Sequence, residues 1–193
     1  TEDHRQGYYS SDPYDEEGLR LVRITDIGDD HKIDVLSSPF YNRPQDEVKD
    51  FVLTNGDFLF PRTGGVGRFG IVDFETPSIY GSFMIRFRFS DYMTSSILRY
   101  FFESDLYLHQ VLREIHGGVN KNVHVENIKN CGVLVPSQSE QQQIVTYLDQ
   151  KTQEIDQSIE SEEKKIEHLK EYRQSLISNV VTGKVDVRDT VLS

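Results

Sequence analysis

An α+β fold is predicted: a domain of mixed short strands and helices over residues 1–136, a long α-helix able to form a coiled coil over 137–182, and a short tail over 183–193. Three features of the chain predict it. Up to Pro136, short runs of β-branched, aliphatic and aromatic residues alternate with Gly, Asn and Asp turn signals. From 148 to 180, apolar residues recur at alternating steps of four and three. Between the two, Pro136 is followed by Ser139 and Gln142, which have the spacing of a capping box.

Taken in order, residues 19–27 have the content of a strand and run into the turn signal Gly28, Asp29, Asp30. Residues 51–53 and 58–60 read as two strands joined at Thr54, Asn55, Gly56 and Asp57, an Asn-Gly hairpin signal. Residues 68–74 and 79–89 continue the strand pattern. In the second of these, Met84, Arg86 and Arg88 alternate with Ile85, Phe87 and Phe89, which places both arginines on one face, expected to be exposed. Beyond a cap at Ser90 or Asp91, apolar residues from Ile97 to Ile115 recur at helical spacing up to the stop Gly117 and Gly118. Ser104 and Asp105 are a natural break into two helices. Residues 117–124 are polar enough for a surface loop, and 131–135 read as a last strand.

The helix that follows carries Leu148, Thr152, Ile155, Ile159, Glu162, Ile166, Leu169, Arg173, Leu176 and Val180 at heptad spacing, seven of the ten apolar. At ~1.5 Å per residue, a helix from 139 to a stop at Gly183 is about 65 Å long, too long to pack wholly on its own small domain. A partner helix is therefore expected, with Leu148, Ile155, Ile159, Ile166, Leu169, Leu176 and Val180 as the dimerisation residues.

Composition narrows the function classes. No stretch approaches the roughly 18–20 apolar residues of a spanning helix, and the amino terminus is polar, so a soluble, cytoplasmic protein is expected. The single Cys131 has no intramolecular disulfide partner and is expected to be a small buried side chain. The net charge is −11, with 14 Lys and Arg against 21 Asp and Glu up to residue 136. Between 51 and 102, however, five arginines, Arg62, Arg68, Arg86, Arg88 and Arg99, face four acids. Weak non-specific affinity for nucleic acid follows from such a balance.

No catalytic constellation is visible. Gly64, Gly65, Val66 and Gly67 lack the Gly-Lys-Ser/Thr ending of a phosphate loop, and suit either an ordinary hairpin or a close approach to DNA phosphates. Ser11, Asp12, Pro13 and Tyr14 only faintly resemble the Asp-Pro-Pro-Tyr element of adenine methyltransferases and read better as an acidic surface turn. His109, His116 and His124 are too spread for a familiar metal motif, and Glu16 and Glu17 lie in a solvated acidic run. Neither an enzyme nor a metal protein is expected.

The segment Val135, Pro136, Ser137, Gln138, Ser139, Glu140, Gln141, Gln142, Gln143, Ile144, Val145, continuing through Tyr147, Leu148, Asp149, Ile155 and Asp156, resembles the start of the spacer helix of type I restriction-modification specificity subunits. Its ending, from Leu169 through Tyr172, Leu176 and Ile177 to Val181, Thr182, Gly183 and Lys184, is similar to that family's ending. Upstream, residues 55–60, then Arg62, Thr63, Gly64 and Gly67, and Gly118 before Asn127 and Ile128, are similar to its target recognition domain. Only one recognition domain and one spacer fit, which implies a half-subunit or a fragment.

The resemblance implies a non-catalytic, prokaryotic protein that selects a bipartite site on double-stranded DNA for a methyltransferase subunit and a restriction endonuclease subunit. S-adenosylmethionine and ATP would be bound by those partners, with no cofactor in this chain. It also implies an antiparallel helix pair, here within a homodimer. Candidate DNA contacts are Arg20, Arg23, Arg62, Thr63, Arg68, Lys121, Asn122 and His124: Arg suits guanine and Asn adenine, while Lys and Thr suit phosphates. The alternative is a coiled-coil interaction protein that assembles with or inhibits restriction complexes without binding DNA, a role the acidic charge would suit.

Overall fold

The computed structural model describes residues 3–115 and 122–188, and the chain divides into two compact units, Thr1–Gln141 and Gln142–Ser193. Among the described residues, the first unit has seven strands: β1 Asp3–Gln6, β2 Leu19–Val22, β3 Phe40–Tyr41, β4 Phe58–Pro61, β5 Gly70–Ile71, β6 Ser78–Tyr80 and β7 Met84–Arg88. Helix α1 spans Gln45–Val48, α2 Ser95–Glu103, α3 Asp105–Glu114, α4 Val125–Lys129 and α5 Gln138–Val181. A four-stranded antiparallel sheet has the order β1-β7-β4-β5, and a three-stranded sheet has the order β3-β2-β6 with β2 antiparallel to β3 and parallel to β6.

The larger sheet is covered on both faces. In its central pair, Phe58 lies opposite Phe87 and Phe60 opposite Ile85, while Leu59 lies opposite Arg86 and Pro61 opposite Met84. Because side chains alternate along each strand, the first set enters an aromatic core with Leu98 and Phe102 of α2 and Tyr107 and Val111 of α3. Phe60 stands edge-on to Phe102 with ring centres 4.9 Å apart, and Tyr107 to Phe102 likewise at 4.9 Å. Leu59 and Met84 enter a second core with Val22, Ile27, Val35, Val72 and Tyr80. Each fully buried large side chain contributes roughly 1.5–3 kcal/mol.

This arrangement corrects the expectation that the Arg86 and Arg88 face is exposed. The Arg86 side chain is only 3% exposed; it pairs with Asp3 and donates to the carbonyls of Asp50 and Val52 at 3.3 and 3.2 Å. Arg88 grips the buried Asp57 through Nε at 2.7 Å and Nη2 at 3.1 Å, and Asp57 also accepts the Thr54 N–H at 2.9 Å. A charge on a covered sheet face is tolerated only with such partners.

Several strand expectations change as well. The 19–27 run stops at Val22 and turns through a 3-10 turn at Ile24–Asp26, where Arg23 and Asp26 pair. Residues 51–53 form no strand, since a 3-10 turn occupies Lys49–Phe51, although the Asn-Gly turn survives with Gly56 at φ 88°. The 79–89 run splits into β6 and β7 at a turn closed by the Met84 N–H on the Gly81 carbonyl at 3.1 Å. The expected 68–74 strand shrinks to β5, and 131–135 forms no strand among the described residues. Cys131 is half-buried, its thiol donating to the Asn127 carbonyl at 3.2 Å.

The helices are capped by local chemistry. Thr94, not Ser90 or Asp91, caps α2 by accepting the Ile97 N–H, and Ser104 ends α2 and caps α3 through the Tyr107 N–H. At α5, the reciprocal box is Ser137 with Glu140, two residues before the expected one: Ser137 N–H donates to Glu140 Oε2 at 2.9 Å while Glu140 N–H reaches Ser137 Oγ at 3.4 Å. Gln141, only 1% exposed, receives the Thr94 N–H at 3.0 Å and donates to the Tyr92 and Pro136 carbonyls, which fixes the first turn of α5 to the rest of its unit.

Helix α5 has 44 residues and ends as the sequence predicts. Gly183 takes φ 72°, and the Lys184 N–H closes on the Asn179 carbonyl at 2.8 Å while the Gly183 N–H closes on Val180 at 3.1 Å. Along it Val145 is buried and Leu148 half-buried, whereas Ile155, Ile159 and Ile166 are 58%, 52% and 52% exposed. Among the described residues, no helix is long and apolar enough to cross a membrane.

Candidate nucleic-acid interface

The loop between β4 and β5 covers residues 62–69 and depends on glycine. Gly65 lies against the Arg68 side chain, where an added Cβ would come within 2.7 Å of Cδ, and Gly67 has φ 91° with Leu108 Cδ1 only 2.9 Å from where its Cβ would be. No side chain other than hydrogen fits this path without strain.

Arg62 opens this loop and joins three segments through its backbone. Its N–H donates to the Phe83 carbonyl in the turn between β6 and β7, and its own carbonyl accepts the Val123 N–H, both at 2.8 Å. The segment leading into α4 is held in turn by Asn127, whose Oδ1 accepts the His124 N–H at 2.7 Å and whose Nδ2 donates to the Glu114 carbonyl at 3.4 Å. The chain thereby brings Arg62, Thr63, Asn122 and His124 together at one edge. Thr63, Asn122 and His124 are exposed, and the Arg62 side chain has no hydrogen-bond or ion-pair partner among the described residues.

The other described candidates, Arg20, Arg23 and Arg68, have donors engaged within the fold. Arg20 donates to the Ser38 carbonyl at 2.7 Å and lies 3.7 Å over the Phe40 ring. Arg23 clasps Asp26 through Nη2 at 2.8 Å and Nε at 3.2 Å. Burial would raise the Asp26 carboxyl, but hydrogen bonds from Arg23 and Ser38 outweigh it and hold Asp26 below the usual carboxylate range. Arg68 reaches the Ile27 carbonyl at 2.7 Å. Lys121 lies outside the described residues, as do Gly117, Gly118 and Asn120.

One feature of the edge escaped sequence reasoning. Phe83, 63% exposed, sits at the turn that Arg62 grips, and with the exposed Tyr9 and Tyr14 and with Arg23 it borders a shallow aromatic hollow. Its signal is the Gly81, Ser82, Phe83 break within an apolar run.

A second apolar hollow lies between Phe89, Met93, Phe101, Ile128, Cys131 and Val135. Burial, reinforced by Glu114, pushes the Cys131 thiol up to about 11, so it is a poor nucleophile at neutral pH. Among the described residues no cluster of His, Cys, Asp and Glu could hold a metal ion.

Comparison with known proteins bears on these observations. Residues 20–171 match the family model described as the type I restriction modification DNA specificity domain. A chain in a structure addressing complex assembly and conformational transition of the type I R-M system aligns over 92% of this chain and 42% of its own length, at 23% identity and a TM-score of 0.71. The HsdS subunit from Thermoanaerobacter tengcongensis aligns over 79% of this chain and 35% of its own, at 23% identity and a TM-score of 0.52. The chain thus spans less than half the length of either solved relative, and the likeness shows the shared fold. No curated protein matches significantly.

Proposed function

The chain belongs to the type I restriction modification DNA specificity domain family, and from that premise we propose that it reads one half of a bipartite duplex site without chemistry of its own. What carries this reading is the edge at which the Arg62 backbone ties together the segments bearing Thr63, Phe83, Asn122 and His124. Arg62 and Asn122 have the donors to address guanine and adenine in the major groove, Thr63 suits phosphate, and an exposed Phe suits a thymine methyl. Arg20, Arg23 and Arg68 support the reading less directly, since donors of each are engaged within the fold.

The partners of this reading are a methyltransferase subunit and a restriction endonuclease subunit, which would bring S-adenosylmethionine and ATP. Helix α5 is the spacer. Two copies pairing antiparallel put the amino-terminal ends of their helices, each of which follows directly on a recognition unit, at opposite ends of the pair. Two-fold symmetry then favours an inverted repeat with a fixed gap.

The net charge of −11 favours the alternative of an interaction protein that binds restriction complexes and not DNA. Titration of random duplex DNA over a range of salt, with the chain alone and then with a candidate methyltransferase subunit, separates the two. DNA recognition requires salt-sensitive binding by the assembled complex, and methylation mapping in cells expressing it then gives the sequence. Absence of duplex binding by the complex at low salt overturns the recognition reading.

A further inference from the structure

Helix α5 carries a seam that is covered at its start and bare afterwards: Val145 is buried, Leu148 half-buried, and every residue from Gln150 to Ser178 exposed. Three polar residues, Thr152, Glu162 and Arg173, interrupt that seam. In the single chain Glu162 meets Lys165 one turn away at 2.6 Å, an exposed pair of small worth, and Arg173 has no ion-pair partner among the described residues.

We propose that α5 docks on α5 of a second copy in one register, antiparallel, with Glu162 facing Arg173 of that copy. This rests on the homodimer reading above and adds to it which residues meet. The two-fold axis then falls between residues 167 and 168. Ile155 meets Val180, Ile159 meets Leu176, and Ile166 meets Leu169, each pair occurring twice by symmetry, so that apolar positions face only apolar positions. The two charged interruptions face only each other. At the flank, Glu163 meets Lys170 of the second copy, again twice.

Other arrangements lose this match. Sliding the pair by one heptad one way sets Arg173 against Ile155, Glu162 against Ile166, and Glu163 against its own symmetry mate. Sliding it the other way sets Arg173 against Leu169, Glu162 against Val180, and Lys170 against Lys170. A parallel in-register pair stacks Glu162 on Glu162 and Arg173 on Arg173. A charge set against an apolar side chain or a like charge in a partly dry seam is costly, whereas opposite charges in contact offset their desolvation. The charge pattern therefore selects orientation and register together. The paired stretch is then 154–181, which lies wholly beyond the buried Val145 and the half-buried Leu148. Leu148 falls outside it.

The test uses the full chain. Sedimentation equilibrium is measured for the wild type, for Glu162→Arg, for Arg173→Glu and for the double variant, with circular dichroism to verify the helix. Each single reversal is expected to weaken dimerisation by about tenfold or more, and the double reversal to restore it to within a few-fold. In a Cys131→Ser background, Ile155→Cys chains mixed with Val180→Cys chains should form a disulfide-linked heterodimer, whereas Leu148→Cys mixed with Val180→Cys should not. A stable dimer with no rescue by the double variant, or one cross-linked through 148 and 180, overturns the register and leaves the homodimer reading intact. A wild type that stays monomeric at high micromolar concentration overturns both.

Discussion

Arg62 and Arg88 stand at opposite ends of one test: Arg88 pairs with the buried Asp57, whereas the proposed function assigns Arg62 to DNA. In Arg62→Ala, the two 2.8 Å backbone bonds to Phe83 and Val123 remain and no side-chain partner among the described residues is lost, so stability should change by less than about 0.5 kcal/mol. Binding by the assembled complex should fall by about 1–3 kcal/mol, roughly 5- to 150-fold, if the guanidinium reads a base. In Arg88→Ala, Asp57 keeps only the Thr54 N–H while its side chain is 1% exposed. Breaking a buried pair costs about 3–5 kcal/mol, but Arg88 is itself 35% exposed, so solvent screening lowers this to about 2–4 kcal/mol. For a chain of this size the melting temperature should drop by about 5–15 °C. The assay is thermal melting beside a competition titration against singly substituted sites at two salt concentrations. A base contact relaxes preference at one position, whereas a phosphate contact weakens all sites and flattens the salt dependence. The reasoning is refuted if Arg62→Ala melts well below the parent, or if it binds every site as the parent does.

Three further outcomes are expected. Replacing Ile155, Ile159 and Ile166 with Asp should abolish self-association in sedimentation, and a persisting dimer would show that the exposed seam is not the contact. Inserting one heptad after Lys164 should lengthen the helix pair by about 10 Å, close to three base pairs at 3.4 Å each, while half-site bases stay the same; altered bases at unchanged spacing would contradict the spacer role proposed for α5. Asp26→Asn should destabilise the fold at pH 7 by about 1–3 kcal/mol. Because the folded carboxyl lies below its usual range, its contribution is present above the unfolded value and lost as pH falls through the folded one. The gap between variant and parent should then narrow below about pH 4, and a gap constant from pH 7 to pH 3 would assign the effect to packing instead.

Much of the fold was legible where one signal repeats or reinforces another. Phe58 to Phe60 follows an Asn-Gly turn, and the seam from Leu148 to Val180 repeats often enough to fix a helix, with Gly183 supplying its stop. Single alternations were less secure. The Arg86 and Arg88 pattern reads as a solvated face, and nothing local reveals that a second core with Leu59 and Tyr80 closes over it. Cys131 to Val135 has strand composition but pairs with no strand among the described residues. At the candidate interface, residue type pointed to Arg62 and Asn122, but their proximity comes from main-chain bonds between positions some sixty residues apart, which leave no mark on side-chain pattern. Phe83 was missed because the Gly81 and Ser82 break is short and the apolar pattern of a strand resumes directly after it.

The joining of those segments has a bearing on how such a protein changes over time. The bonds that hold Arg62 to Phe83 and to Val123 use only peptide groups, and every residue except proline supplies both the N–H and the C=O. Side chains at 62, 83 and 122 can therefore be exchanged by point mutation while the edge keeps its shape. If this edge reads DNA as proposed, a lineage of such domains can drift from one preference to another through folded intermediates, with the frame inherited undisturbed.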